Sequence, residues 1–404
     1  MKYVVVLGDG MADYPVPELG GKTPLDVARH PAMDELACRG EFGLVQTIPE
    51  GMKPGSDTAN LAVMGYDPRV YYSGRSPLEA ASLGIDLLPT DVTYRCNFVT
   101  LAGCDDIGNS TMLDYSAGEI SSEEAAALVA CLNDALSDAD ARLYAGLSYR
   151  HCLVLHDAET GAKLTPPHDI SKQSTSGHLP AGTNAALLNR WMRRAHELLS
   201  DHPVNKQRIA QGKRPANAIW FWGEGRRPAL TPFTEKTGLT GAVVSAVDLV
   251  QGIGKCAGMR VLHVPGATGT YETNFRGKAQ YALDALQNGC DYVYIHMEGP
   301  DECGHQHQVN EKVYSIEQID EQVLSPILRA LGEAGEAFTV LLMPDHPTPL
   351  VLMTHVSDPV PFVLYRSGDT VKREARYCEA DAKKTGANLP DASLLLERMV
   401  RGQA

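Results

Sequence analysis

Positive charge is scarce in this chain: 36 Lys and Arg stand against 50 Asp and Glu, a formal balance of −14 over 404 residues. That balance argues against a broad phosphate-binding surface of the nucleic-acid kind. An anionic substrate has to be attracted by local arginines or metal ions, because the field of the whole protein does not attract it. Paired cysteines are also lacking. The nine cysteines, at positions 38, 96, 104, 131, 152, 256, 290, 303 and 378, are odd in number, scattered and without a C-x-x-C pair. Neither a disulfide framework nor a zinc knuckle is expected, and reduced thiols in the cytoplasm are the simple reading. No apolar run approaches the roughly 18 residues needed to span a membrane, so no membrane partner is expected. The opening Met1-Lys2-Tyr3-Val4-Val5-Val6-Leu7 passes from one lysine straight into a short strand. It has no long apolar core and no small-residue cleavage site, so it is not expected to be a signal peptide. Nucleotide loops are missing as well. Gly20-Gly21-Lys22-Thr23 looks like the tail of a phosphate-binding loop, but the first glycine of that motif would fall on Val16, and Pro24 follows at once. The run Gly252 to Gly258 lacks the strand-turn-helix setting and the third-glycine spacing of a dinucleotide loop. No internal repeat and no low-complexity segment is present.

What the chain does have is an ordinary globular composition, 44% apolar and 21% charged. Its length suits two domains, or one large core carrying an insertion. Continuous apolar runs of strand length occur at Tyr3–Leu7, Tyr292–His296, Phe338–Met343 and Pro361–Tyr365, with shorter ones at Ala242–Ala246 and Arg260–Val264. This is the texture of strands buried on both faces of a parallel sheet. Helical spacing separates them: Pro24 to Arg39 with a break at Pro31, Phe275 to Asn288, and Ile316 to Ala334 despite Pro326. Between about 90 and 235 the pattern changes. Val92–Leu101 reads as a strand, Ser121–Leu136 as a capped helix, Ala141–Leu155 as a hairpin, and Thr165 to His178 as a long polar loop. A helix over Asn184–Leu199, a strand over Ala218–Trp222 and a glycine-arginine turn over Gly223–Pro228 close the segment. The reading is an α/β sheet domain built from residues 1–89 and 236–404, interrupted by an inserted α+β domain, 90–235.

Chemistry-bearing residues gather where strands end. Asp9 follows the first strand, Asp301 and His305 follow Tyr292–His296, Asp345 and His346 follow Phe338–Met343, and His355 comes shortly after. The crevice beyond the carboxyl ends of such strands is where open α/β sheets bind ligands. Asp301-x-x-x-His305 puts both side chains on one face of a helical turn. Carboxylates mixed with imidazoles suit Mn²⁺ or Zn²⁺ better than an all-oxygen magnesium cage, with Mg²⁺ still open. Each of these residues alone could equally be a cap or a hydrogen-bonded histidine. Ser56 completes the set. It lies in Pro54-Gly55-Ser56-Asp57-Thr58-Ala59-Asn60, a tight turn after the strand-like Gly43–Ile48 and before a short helix expected from Asn60 to Met64. In isolation it reads as a turn serine or an N-cap. With ligands for two metals around it, it reads as a nucleophile, because one metal can lower the pKa of a hydroxyl while the other neutralises transferred oxygens.

The ordered runs Gly8-Asp9-Gly10, Pro54-Gly55-Ser56-Asp57-Thr58-Ala59, Gly65-Tyr66-Asp67-Pro68, Tyr94-Arg95-Cys96-Asn97-Phe98, Pro300-Asp301-Glu302-Cys303-Gly304-His305, Pro344-Asp345-His346 and Thr354-His355-Val356-Ser357-Asp358-Pro359 span nearly the whole chain. Together they resemble the archaeal-type cofactor-independent phosphoglycerate mutases of the alkaline phosphatase superfamily. The resemblance implies an alkaline-phosphatase-like sheet domain with helices on both faces, plus an inserted domain that closes over the substrate. It implies Ser56 as phosphoserine nucleophile and as ligand of one metal with Asp9, Asp345 and His346. A second metal would be held by Asp301, His305 and His355. Two divalent ions, Mn²⁺ first among them, and no bisphosphoglycerate would serve the interconversion of 3- and 2-phosphoglycerate. The small phosphorylated carboxylate calls for bidentate cations, for which Arg75, Arg95, Arg150 and Arg226 are candidates with Lys278 behind them. His168 and His178 in the polar loop are weaker candidates for proton transfer. Two alternatives remain on the same scaffold: a related phosphotransferase such as a proposed homoserine kinase, and a metal-dependent phosphatase.

Overall fold

The computed structural model describes residues 1–103 and 106–401. They form two compact units, Met1–Tyr72 with Ala229–Ala404, and Ser73–Pro228.

The first unit is organised by an eight-stranded sheet whose spatial order is Arg260–Leu262, Gly241–Val244, Tyr292–Met297, Lys2–Gly8, Phe338–Met343, Val360–Arg366, Glu41–Val45 and Asn388–Leu389. The first five strands run parallel, whereas Val360–Arg366 is antiparallel to both of its neighbours. The continuous apolar runs are central strands, and every residue of Tyr292–Met297 and Phe338–Met343 is buried. Helices cover both faces. Val4, Val6, Val293, Ile295, Val340 and Leu342 pack with Phe275, Ala279, Ala282, Ile316 and Ile319 on one side. On the other, Val243 lies against Gly254 of the helix Asp248–Cys256. Register places the site: Leu7 pairs with His296 on one side and Met343 on the other, so three parallel strands end at one level. Asp9, Glu298 and Asp345 therefore leave the sheet together. Among the described residues, no helix is long and apolar enough to cross a membrane.

The second unit has a sheet in which Val92–Ala102 pairs antiparallel with Thr111–Asp114, Arg150–Leu155 and Ala218–Arg226, and Arg150–Leu155 with Ala141–Tyr144. The helix Ser122–Leu136 starts with the expected capping box, Ser121 Oγ accepting from Glu124 N–H while the Glu124 carboxylate takes the Ser121 N–H. With Ala185–Ser200 it covers a core around Phe98, Leu128, Trp191 and Trp220.

Several local expectations are corrected. The unit begins at Ser73 rather than near 90, because the helix Ser76–Ser82 is fastened to its sheet: Ser76 Oγ donates to Thr93 O at 3.0 Å, and Glu79 pairs with Arg95. The expected turn Gly223–Pro228 is largely strand, running to Arg226. Its glycines serve a register shift opposite Thr93 and Arg95, where Gly223, at φ +63°, leaves room for the Arg95 stem. The expected helix Ile316–Ala334 starts earlier, at Val309, and passes through a π-helical stretch, Ile319–Leu324, just before Pro326. The eight cysteines among the described residues are free thiols, and Cys104 lies outside those residues.

Candidate active site

Ser56 does not sit in a turn ahead of a helix; it is the first residue of the helix Ser56–Val63, with Gly55 as N-cap. The hydroxyl is thus at the positive end of the helix, where negative charge is favoured. Its Oγ lies 3.1 Å from His346 Nε2. One turn on, Asn60 is fully buried and ties the helix to the sheet. Asn60 Nδ2 donates to Ser56 O and to Asp345 Oδ2, both at 2.9 Å, and its Oδ1 accepts from the Tyr294 hydroxyl at 2.6 Å.

Around this hydroxyl the structure gathers the strand-end residues into two overlapping groups. Asp9, Asp345 and His346 converge, as do Asp301, His346 and His355. His346 Nε2 is 3.6 Å from Asp9 Oδ1 and 3.4 Å from Asp345 Oδ2. Asp301 lies 3.3 Å from His305 Nε2 and 3.4 Å from His355 Nε2, and those two ring nitrogens are 2.8 Å apart. Asp301 and His305 are on one helix, Gly299–His305, which accounts for their shared face.

The protonation chemistry of the group asks for a cation. Burial, reinforced by Asp345 and Asp301, pushes the Asp9 carboxyl well above its ordinary value. Burial also raises Asp301, but hydrogen bonds from His305 and His355 outweigh it and hold that carboxylate well below the ordinary value. His305 is pushed up to about 9, chiefly by its bond to Asp301, while burial pulls His346 down. Asp9 Oδ2 is engaged at 2.9 Å by His296 Nε2, an imidazole that burial keeps neutral at about 3. Asp9 Oδ1 has no partner although it is buried. An orphaned carboxylate oxygen facing an imidazole nitrogen, and two imidazole nitrogens facing each other across a carboxylate, are arrangements that divalent ions satisfy. The residues fit two such ions.

The substrate-binding candidates are distributed differently. Within the second unit Glu79 joins two of them, accepting from Arg75 Nε at 3.0 Å and pairing with Arg95 Nε at 2.8 Å. The Arg95 guanidinium lies 3.9 Å from the Trp222 ring centroid, and Arg150 stacks on Tyr149 at 5.2 Å. Burial raises the Glu79 carboxyl, but Arg95 and Arg75 more than offset it, and it stays ionised. Arg226 is turned to the backbone and donates to Pro89 O and Ala158 O. Lys278, in the first unit, is fully buried with Nζ donating to His296 O at 3.1 Å, so it stands behind the ligand layer. His168 packs edge-on against Trp222, and His178 Nδ1 is 3.3 Å from Thr165 Oγ1.

Sequence reading missed His296, Glu298, Asn60, Thr348, Glu79 and Trp222. Glu298 converges with Asp9 and Asp301. The Thr348 hydroxyl donates to Asp301 Oδ1 and lies 3.3 Å from His346 Nδ1. His296 near the end of an otherwise apolar strand, and Glu298 just past it, were the available signals.

The model of the 2,3-bisphosphoglycerate-independent phosphoglycerate mutase family matches residues 37–205. A protein of that name from Methanothrix thermoacetophila is 49% identical over 402 residues, with 100% of each chain covered. A Geobacter sulfurreducens protein named as a probable mutase of the same kind is also 49% identical over 402 residues, covering 99% of this chain and 100% of its own. Among solved structures, the PH0037 protein of Pyrococcus horikoshii matches with a TM-score of 0.83 at 30% identity, over 99% of this chain and 96% of that one. The cofactor-independent phosphoglycerate mutase of Thermoplasma acidophilum matches with a TM-score of 0.68 at 28% identity, over 99% of both chains. Identity of this extent over the full length places the chain in the 2,3-bisphosphoglycerate-independent phosphoglycerate mutase family.

Proposed function

We infer that the protein interconverts 3-phosphoglycerate and 2-phosphoglycerate without added bisphosphoglycerate, through a phosphoserine at Ser56. The observation that carries this is the Ser56 hydroxyl, at a helix N-terminus, 3.1 Å from an imidazole that belongs to both carboxylate-histidine groups. In the forward direction Ser56 Oγ forms a bond to phosphorus as the bond to the glycerate 3-oxygen breaks. Oγ loses its proton and the 3-oxygen gains one. The glycerate then presents its 2-hydroxyl, and the transfer runs in reverse, so the serine is regenerated and nothing is consumed.

Asp9, Ser56, Asp345 and His346 would hold one divalent ion, and Asp301, His305 and His355 the other. Mn²⁺ is favoured by the mixture of carboxylate and imidazole donors. When bound, such ions supply a lowered hydroxyl pKa and neutralisation of phosphoryl charge. The protein's own part is to fix the geometry. Asn60 holds the start of the Ser56 helix against Asp345, His296 fixes Asp9, and the helix N-terminus favours the anionic phosphoserine. Arg75, Arg95 and Arg150 are the proposed anion-binding groups of the inserted unit, with Glu79 and Trp222 orienting the Arg95 fork. Arg226 and Lys278 are left out of that set because their donors already serve backbone carbonyls. A cytoplasmic setting agrees with free thiols throughout the described residues.

The kinase and phosphatase alternatives find no support in the relatives reported above. The test is a coupled assay with Mn²⁺, 3-phosphoglycerate and no bisphosphoglycerate. Wild type interconverts the two isomers and carries phosphate on Ser56 after incubation with either. Ser56→Ala retains fold and loses at least 10⁴-fold in kcat, in line with removal of an activated nucleophile. Inorganic phosphate released faster than 2-phosphoglycerate would overturn the reading in favour of hydrolysis.

A further inference from the structure

Behind the ligand groups lies a fully buried ion pair that the proposed reaction does not use. Lys312, on the helix Val309–Gln318, places Nζ 2.7 Å from Asp13 Oδ2, and neither side chain is exposed to solvent. The ammonium also donates to Thr348 O at 2.8 Å. The Asp13 carboxylate accepts from Leu350 N at 3.1 Å and from Tyr14 N at 2.8 Å. Thr348 N donates to Ala12 O at 3.2 Å, and Met11 and Ala12 both bridge to Pro347. The pair thus clamps two segments together: the one that follows Asp9 and the one that follows Asp345 and His346.

What the clamp presents is the Thr348 hydroxyl. It has one proton and two neighbours, Asp301 Oδ1 and His346 Nδ1. An ionised carboxylate only accepts, so the threonine proton goes to Asp301. The His346 contact then has to run the other way, with Nδ1–H donating to Thr348 Oγ1. This fixes the tautomer of His346 and leaves the Nε2 lone pair facing Ser56 Oγ, Asp9 and Asp345.

We propose that Thr348, held by the Asp13–Lys312 pair, is the positioning residue that sets the His346 tautomer and orients Asp301, so that one hydroxyl prepares a ligand for each of the two cation sites. The inference rests on the two-cation reading of the site. Second-layer partners of metal ligands generally change metal affinity by 10- to 100-fold when removed. Thr348 acts on both groups at once, and both sites are expected to weaken together.

The experiment is a titration of the metal-stripped full-length protein with Mn²⁺, followed by the electron paramagnetic resonance of free Mn²⁺, beside thermal unfolding of the same samples. Wild type takes up two ions per chain; fewer than two overturns the two-cation reading itself. Thr348→Val keeps volume and removes the hydroxyl, and is expected to weaken both sites by about 10- to 100-fold. It lowers kcat by a similar factor while the KM for 3-phosphoglycerate moves less than about twofold. Thr348→Ser restores the hydroxyl and returns Mn²⁺ affinity to within about threefold of wild type. The Lys312→Met, Asp13→Leu double variant replaces the pair with apolar groups of similar size but leaves the Leu350 and Tyr14 amides and the Thr348 carbonyl without these partners, so it loses stability in thermal unfolding, and its folded form too is expected to bind Mn²⁺ more weakly. Wild-type Mn²⁺ affinity in folded Thr348→Val, or no rescue by serine, overturns the proposal.

Discussion

Asn60→Leu is the sharpest single perturbation of the site that leaves every ligand in place. The side chain is fully buried and makes three hydrogen bonds, to Ser56 O, Asp345 Oδ2 and the Tyr294 hydroxyl. Leucine has a similar volume and makes none of them. A buried polar group left without its partner costs about 1–3 kcal/mol. Two groups are stranded, the Asp345 oxygen and the Tyr294 hydroxyl, which together come to about 2–6 kcal/mol. Burying the apolar leucine returns about 1–2 kcal/mol of that. The expected net loss is about 3 kcal/mol. The assay is urea unfolding of metal-stripped protein, with Tyr294→Phe and the double variant alongside. Tyr294→Phe alone strands only the Asn60 oxygen and should cost about 1–2 kcal/mol. In the double variant neither the Tyr294 hydroxyl nor the Asn60 oxygen is there to be stranded, so its loss should fall below the sum of the singles by about 2–5 kcal/mol, at or above the upper end of what contacting residues usually show. A loss within about 0.5 kcal/mol of zero for Asn60→Leu, or strict additivity of the pair, refutes the argument that Asn60 couples the Ser56 helix to the sheet.

Gly10 has φ +60°, and a Cβ there would lie 2.6 Å from Thr348 Oγ1 and 2.7 Å from the Asp301 backbone. Left-handed strain of about 1–2 kcal/mol and overpacking of about 1–3 kcal/mol add, so Gly10→Ala should lose about 2–5 kcal/mol by denaturant unfolding; a loss below about 1 kcal/mol refutes this. Glu379 accepts from Asp13 N at 3.0 Å and from Thr23 Oγ1 at 2.8 Å, and burial nonetheless raises its carboxyl to about 7. The folded chain then binds that proton more tightly than the unfolded one, so this contribution to stability is full at and below the unfolded value of 4.5 and falls as pH rises to about 7. The residue is only half-buried, which limits the effect to about 1–2 kcal/mol. Unfolding at pH 5 and pH 8 should show Glu379→Gln losing that part of the pH dependence; an unchanged profile sinks the assignment.

How far the sequence could be read depended on whether a feature was local. The strands Lys2–Gly8, Tyr292–Met297 and Phe338–Met343 were legible because being buried on both faces writes them as unbroken apolar runs. Asp9, Asp301, His305, Asp345, His346 and His355 could be nominated because a ligand-type residue just past such a run has few other reasons to be there. The residues that hold them were not legible. Asn60 and Thr348 sit among ordinary polar neighbours, and their roles come from partners up to 285 positions away. Gly223 and Gly225 read as a turn because glycine usually marks one, whereas here Gly223 leaves room for the Arg95 stem at a register shift and Gly225 for the close approach of Ser73 O and Pro77. The helix Pro203–Ala210 went unread because its buried residues include Asn205 and Arg208, which a periodicity of apolar residues does not register. Glu79 was passed over because an acid was not sought among arginines expected to bind an anion.

Charge explains why the arrangement calls for cations. The protein carries a net −14, and the site beside Ser56 adds Asp9, Asp301 and Asp345, all buried. Phosphoglycerate is itself an anion at both ends, so in the absence of cations its phosphate would meet repulsion from the ionised carboxylates of the site. Arg75, Arg95 and Arg150 reverse the sign locally in the second unit, with Glu79 offsetting one of their charges. In the first unit two buried lysines are already engaged, Lys312 by Asp13 and Lys278 by a carbonyl, which leaves the partial positive charge of the helix N-terminus at Ser56. Divalent ions would let these carboxylates present a positive surface to a phosphoryl group. The buried polar network matters to that neutralisation, because misplacing a carboxylate by an ångström in a low-dielectric site changes its interaction with a divalent ion by more than the net worth of an ordinary hydrogen bond.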